Sequence, residues 1–178
     1  MSTTLAVRPS RAPTWRERRR SRRELARQDR RSAALAELST ISSMLAAAQD
    51  AIRAGWVQNA WYAYRDDGIL RAVHGHNLDD LTGQEINASC LVGAIVTAGG
   101  GVDAVDTQPV QRALDLTWHT LWDARYQPTA WSPNPVVRLA HLRDLTAWND
   151  DPRRTRDQVL ALLRATEQAA TRLRTAGV

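Results

Sequence analysis

The densest chemistry in the chain is a run of guanidinium groups. Arg16, Arg18, Arg19, Arg20, Arg22 and Arg23 put six positive charges into eight positions, and Arg27, Arg30 and Arg31 extend the run. Guanidinium forks match phosphate and carboxylate oxygens bidentately, so the run suits neutralisation of a polyanion. A nucleic-acid backbone is the expected partner, DNA or RNA, and an acidic protein surface is the rival. Nothing in the run resembles a reader of base edges. A membrane surface fits less well, because an interfacial helix needs an apolar face that the run lacks.

A second polar cluster is Trp148, Asn149, Asp150, Asp151, Arg153 and Arg154. Two carboxylates beside two arginines are able to serve as acid and base, or to hold an anion. A structural account covers the same residues and is favoured. It comprises Asx turns, Pro152 as a stop, and Thr155 with Gln158 as a capping box, with Asp157 in the positive first turn.

The other candidates carry less. His74, His76, Asp79 and Asp80 lie close in sequence, but no third soft ligand and no His-Glu-x-x-His spacing supports a metal. A polar loop is expected there, with no metal and no cofactor. Gly99-Gly100-Gly101 follows a helix and lacks the Gly-Lys-Ser/Thr ending of a phosphate loop, so it reads as a helix C-cap. His119 and His141 are far apart in sequence and receive no role. No nucleophile elbow, Ser-His-Asp spacing, zinc ribbon or dinucleotide fingerprint is present, so catalysis has little support.

The charge is unevenly distributed. Residues 1–31 hold 11 Arg against Glu17, Glu24 and Asp29, a net of +8, while the remaining 13 Arg face 16 acids, a net of −3. This predicts an arm for an anionic partner on a mildly acidic body. All 24 basic residues are Arg and Phe is absent, which reads as GC-rich codon bias. A single cysteine, Cys90, excludes an internal disulfide framework and points to a reducing cytoplasm. No apolar run approaches the length that spans a bilayer. Ser21-Arg22-Arg23-Glu24-Leu25 resembles a twin-arginine export motif. The segment after it is only weakly apolar, carries Glu37 and shows no cleavage site, so export is not expected.

The elements that must position these groups follow from periodicity. Residues 1–13, with Pro9 and Pro13, read as a disordered leader. Thr14 and Glu17 form a capping box, after which nothing breaks a helix. From Ser32 onward Leu35, Leu38, Ile41, Leu45, Ala48 and Ile52 recur at helical spacing up to Gly55, so an ordered arm would continue this helix from about residue 14 to 54. Trp61, Tyr62 and Tyr64 precede Asp66-Asp67-Gly68, with Ile69, Leu70 and Val73 after it, the pattern of a β-hairpin. Residues 82–98 are apolar around the whole circumference and open on a Thr82/Glu85 capping box, which predicts a buried central helix. Thr107 and Pro109 start a helix with Val110, Leu114, Trp118, Leu121 and Trp122 on a packing face. Residues 127–135 are too rich in proline for regular structure. Val136, Val137, Leu139, Leu142 and Leu145 predict a short helix, and Thr155 opens a last one to about Arg174. Trp56 and Trp61 are expected to be partly exposed.

Three stretches in this order carry a resemblance: Gly55-Trp56, Cys90-Leu91-Val92-Gly93-Ala94, and Trp148-Asn149-Asp150 followed by Arg154-Thr155 and residues 159–163. Together, over about residues 35–170, they resemble a family of small uncharacterised domains of actinobacteria and their phages. The resemblance implies a GC-rich bacterial or phage source, and it transfers no activity.

The expected architecture is mainly α: a compact bundle of about four to five helices with one β-hairpin over residues 32–178. A basic arm, disordered or helical on binding, occupies residues 1–31. The expected function is a non-enzymatic accessory protein that holds nucleic acid, or a nucleic-acid-containing assembly, through the arm. The alternatives are an adaptor or structural component of a phage particle or larger complex, docked on an acidic protein, and a small enzyme using the corner at 150–154.

Overall fold

In the computed structural model, residues 14–75, 77, 81, 83–122 and 134–177 are described. Helix α1 (Trp15–Ala54) runs forty residues through the polarity change at Ser32 without a break. Its first turn is closed by the Thr14/Glu17 capping box, and its second half buries Leu38, Ile41, Met44, Leu45, Ala48 and Ile52. Gly55 ends it in extended backbone, φ −172°. Glycine is needed there for space, since a Cβ would collide with the Asn87 carbonyl.

Strands β1 (Tyr62–Asp66) and β2 (Ile69–Val73) form the expected antiparallel hairpin. Asp67 and Gly68 both have positive φ, as the favoured two-residue hairpin turn demands. A third strand, β3 (Ile86–Ser89), pairs antiparallel with the other edge of β1, giving the order β2-β1-β3.

That strand corrects the expectation of one helix over residues 82–98. Helix α2 (Leu91–Ala98) begins only after it, and its N-cap is Cys90, whose Sγ accepts from Gly93 N at 3.3 Å. Glu85 lies in exposed non-helical chain, and Thr82 is outside the described residues. A short apolar run fits a buried strand as well as a buried helix. Here β1 supplies backbone partners on its open edge, and Asn87 faces out between the half-buried Ile86 and Ala88. The expectation of a buried centre stands, because Leu91, Val92, Gly93, Ala94, Ile95 and Val96 are all buried.

Gly99 caps the end of α2, and Gly100 and Gly101 take φ of +131° and +108°. A short 3-10 turn (Val102–Asp106) leads to helix α3 (Gln108–Trp122). Helix α4 (Pro135–Asp150) is capped by Asn134, and helix α5 (Arg156–Ala176) by the Thr155/Gln158 capping box. The disordered leader expected over 1–13 and most of the proline-rich segment at 127–135 fall outside the described residues.

The core gathers the inner faces of α1, α2, α3 and α5 with Leu145 of α4. Polar ties hold α1 in place. Gln49 Nε2 donates to Glu167 of α5 at 2.7 Å, and Glu37 accepts from Gln108 and Arg112 of α3. Tyr62 is fully buried, donates its hydroxyl to Gly93 O at 3.1 Å, and is pushed up to about 12 by burial. One packing expectation, for Trp122, needs correction. Trp122 is 49% exposed, and Val136, Val137 and Leu139 also face outward among the described residues, since only Leu145, Asn149 and His141 of α4 are buried.

Gly93 is the tightest point of the core. A Cβ there would meet the Trp61 carbonyl and the Tyr62 ring. Gly93→Leu is expected to overpack this crossing and destabilise by roughly 1–3 kcal/mol or more. A melting temperature equal to that of the unaltered chain would contradict the packing.

Candidate functional site

The arginine run occupies the exposed first part of α1, where every residue from 14 to 33 is exposed. Helix α5 runs antiparallel to α1, since Gln49 meets Glu167 while Gly177 lies against the Arg31 side chain. The sixteen residues before Arg31 therefore extend past the end of α5 by about 24 Å, at 1.5 Å per residue.

Helical geometry sorts the arginines. At about 100° per residue, Arg16, Arg19, Arg20, Arg23, Arg27, Arg30 and Arg31 fall within an arc of roughly 120°. Arg18 and Arg22 point elsewhere, and Glu17 and Glu24 flank the arc on one side. The same arc, carried along α1, contains Leu38, Ile41, Leu45 and Ile52. The basic face and the core face are thus one stripe that changes chemistry near Ser32. Arg20 pairs with Glu24 at 3.4 Å in solvent, worth little. Glu17 is held below its ordinary range by the hydrogen bond from the Thr14 backbone. Trp15 is 65% exposed, with the Arg19 guanidinium 5.4 Å from its ring centre.

The corner at 148–154 is a different kind of place. Asn149 is fully buried. Its Oδ1 accepts from Trp56 Nε1 at 2.9 Å and from the backbone N–H of Leu91 at 3.1 Å. Its Nδ2 donates to Val57 O at 3.2 Å and to Asp150 Oδ1 at 2.8 Å. All four hydrogen-bonding positions of the amide are occupied within the chain. Around it, Gln58 Nε2 donates to the carbonyls of Asn149 and Asp151, and Asn59 N donates to Asp150 Oδ1. Ser89 N donates to Gly55 O, and Val57 N to Ser89 O.

The remaining corner residues are also engaged. Arg154 donates Nε to Trp148 O and lays its guanidinium 3.8 Å over the Trp148 ring. Asp151 binds the backbone and side chain of Arg153, which holds its carboxyl below and the guanidinium above their usual ranges. The candidate acid, base and anion-binding groups thus serve as a joint between α4, the entry to β1 and the start of α2. Cys90 beside it is fully buried, and burial pushes its thiol up to about 12, so it stays protonated.

Of the suggested metal ligands, His76, Asp79 and Asp80 lie outside the described residues. Among the described residues no group of three or more His, Cys, Asp or Glu side chains is placed to hold a metal ion. One polar pair was missed from sequence. His141 Nδ1 lies 2.7 Å from Asp115 Oδ1, both nearly buried, with the Trp118 ring stacked 4.0 Å over the imidazole. Trp118 also donates Nε1 to Asp144 at 2.9 Å, and the His119 ring meets His141 edge-on at 5.8 Å. Asp115, Trp118 and His119 share a helix face by their i, i+3, i+4 spacing, which was the available signal.

A protein-family model described as "Family of unknown function (DUF6197)" matches residues 36–169. No curated protein and no solved structure matches the chain. The three stretches that meet at Asn149 all lie inside the matched region, and residues 15–35 of α1 lie outside it.

Asn149→Ala should strand the Leu91 N–H, the Trp56 indole N–H and the Val57 carbonyl, each at roughly 1–3 kcal/mol when left unpaired and buried. Asp150→Asn keeps an acceptor in place and should change stability far less. Chemical denaturation of the two variants checks this, and equal effects would contradict the joint.

Proposed function

We propose that this chain, which belongs to the DUF6197 family of unknown function, is a non-enzymatic accessory protein that holds nucleic acid, or an assembly containing it. Binding is sequence-blind and runs through the basic face of residues 15–31. The observation that carries this reading is the alignment of seven arginines on one exposed helical face. Ion pairing within the arm does not account for it, since three acids face nine arginines over residues 16–31. Phosphates spaced along a backbone match such a row in charge and in bidentate geometry.

The enzyme reading of the 150–154 corner is weaker, because those groups are consumed by internal bonds. The adaptor reading shares the arm and differs only in the partner. No helix among the described residues is long and apolar enough to cross a membrane, and a buried free cysteine fits a cytoplasmic setting. The Arg-only, Phe-free composition supports an actinobacterial or phage source.

If four to six arginines meet phosphate, the log of affinity for duplex DNA should fall against log salt with a slope of roughly −4 to −5. Replacing Arg16, Arg19, Arg20, Arg23 and Arg27 by Gln should remove that binding and leave the melting temperature nearly unchanged, since these side chains contribute no core. Absence of any affinity for DNA or RNA at low salt would refute the reading. Tight binding to one acidic protein alone would favour the adaptor.

A further inference from the structure

We infer that the basic surface does not end with the arm: the last turn of α5 joins it, and the two together form a notch shaped for double-stranded nucleic acid. This rests on the reading above and adds Arg172 and Arg174 to the interface. Because the basic face and the core face of α1 are one stripe, the body stands on the same side of α1 as the arginines. A polyanion lying along Arg16, Arg19, Arg20, Arg23, Arg27 and Arg30 therefore runs into the end of α5. At the inner angle, Gly177 rests against the Arg31 side chain. Gly177 N donates to Arg174 O at 3.3 Å and Thr175 Oγ1 to Arg172 O at 2.9 Å, so both arginines sit within the turn that forms the wall. Both are exposed.

Electrostatics makes these two residues matter. The C-terminus of a helix carries a partial negative charge from its unpaired carbonyls, and this would repel a phosphate brought against it. Arg172 and Arg174 bring two positive charges to that last turn, which oppose the partial negative charge.

A duplex is the occupant that fits. The face from Arg16 to Arg31 lies on one unbroken helix and is about 22 Å long. Duplex DNA presents one phosphate charge per roughly 1.7 Å of axis, so a face of this length spans enough phosphates for four to six of its arginines to meet one. Single-strand binders stack successive bases on several aromatic rings, whereas Trp15 is the only aromatic residue from 14 to 33.

The experiment is a salt titration of the full chain against a short random-sequence DNA duplex, the matching RNA duplex and one strand of the DNA. Arg172→Gln with Arg174→Gln should reduce the steepness of the log–log slope by about one to two, at about 0.9 per lost contact. Arg172→Lys with Arg174→Lys should restore it, which separates charge from any loss of folding. The DNA and RNA duplexes should both bind more tightly than the single strand. An unchanged slope in the Gln variant, while neutralising the arm still abolishes binding, overturns the notch and leaves the arm reading intact. A single strand that binds as tightly as the duplexes overturns the choice of occupant. No binding by the unaltered chain to any of the three overturns both.

Discussion

One buried amide closes this fold. Asn149 lies 93 residues from Trp56 and 58 from Leu91, yet its side chain binds both. A primary amide out of water is tolerated only when its donors and acceptor lone pairs are all matched, and the four partners of Asn149 come from three separate parts of the chain. The Leu91 N–H, at the start of α2, has no acceptor within the helix and donates to Asn149 Oδ1, while Cys90 Sγ accepts from the Gly93 N–H. Asn149 completes the cap from outside the helix. It thereby fixes where β3 stops and α2 begins, the direction in which the chain leaves α1 past Gly55, and the end of α4.

This gives a physical meaning to short motifs that lie inside the family-matched region. Gly55 admits the β3 backbone, Trp56 offers its indole N–H, Cys90 and Leu91 start the buried helix, and Asn149 with Asp150 ties them together. A cluster of Asn, Asp, Arg and Trp looks like chemistry in a linear sequence. In three dimensions its polar atoms face one another. The arginines of residues 16–31 have the opposite character: they are exposed, outnumber their acids and lie outside the matched region.

How much of this is legible in the sequence depends on the range of the interaction. Both capping boxes, at Thr14/Glu17 and Thr155/Gln158, were readable because their partners stand three residues apart. The hairpin was readable from Asp67-Gly68. The continuity of α1 through Ser32 followed from the absence of any helix breaker. Strand β3 was hidden because Ile86, Ala88 and the residues after Cys90 are apolar under either a period of two or of 3.6, and only the open edge of β1 decides between them. The role of Asn149 was not readable, since nothing local distinguishes an Asx turn from an amide that bridges α4, the chain between α1 and β1, and α2. The Asp115–His141 pair was lost for the same reason, with its halves on two helices. The alignment of the arginines with the core stripe required α1 to be known as one unbroken helix.

A joint holds the body, and on the proposed function a separate face meets the polyanion. Amide hydrogen exchange of the full chain, with and without a DNA duplex at low salt, tests this separation most directly. The Leu91 amide should be strongly protected in both states. Duplex should add protection over residues 15–31 and 172–177 and leave 148–155 unchanged. Protection gained at 148–155 with none over 15–31 would place the partner on the corner, and the division between joint and face would be wrong.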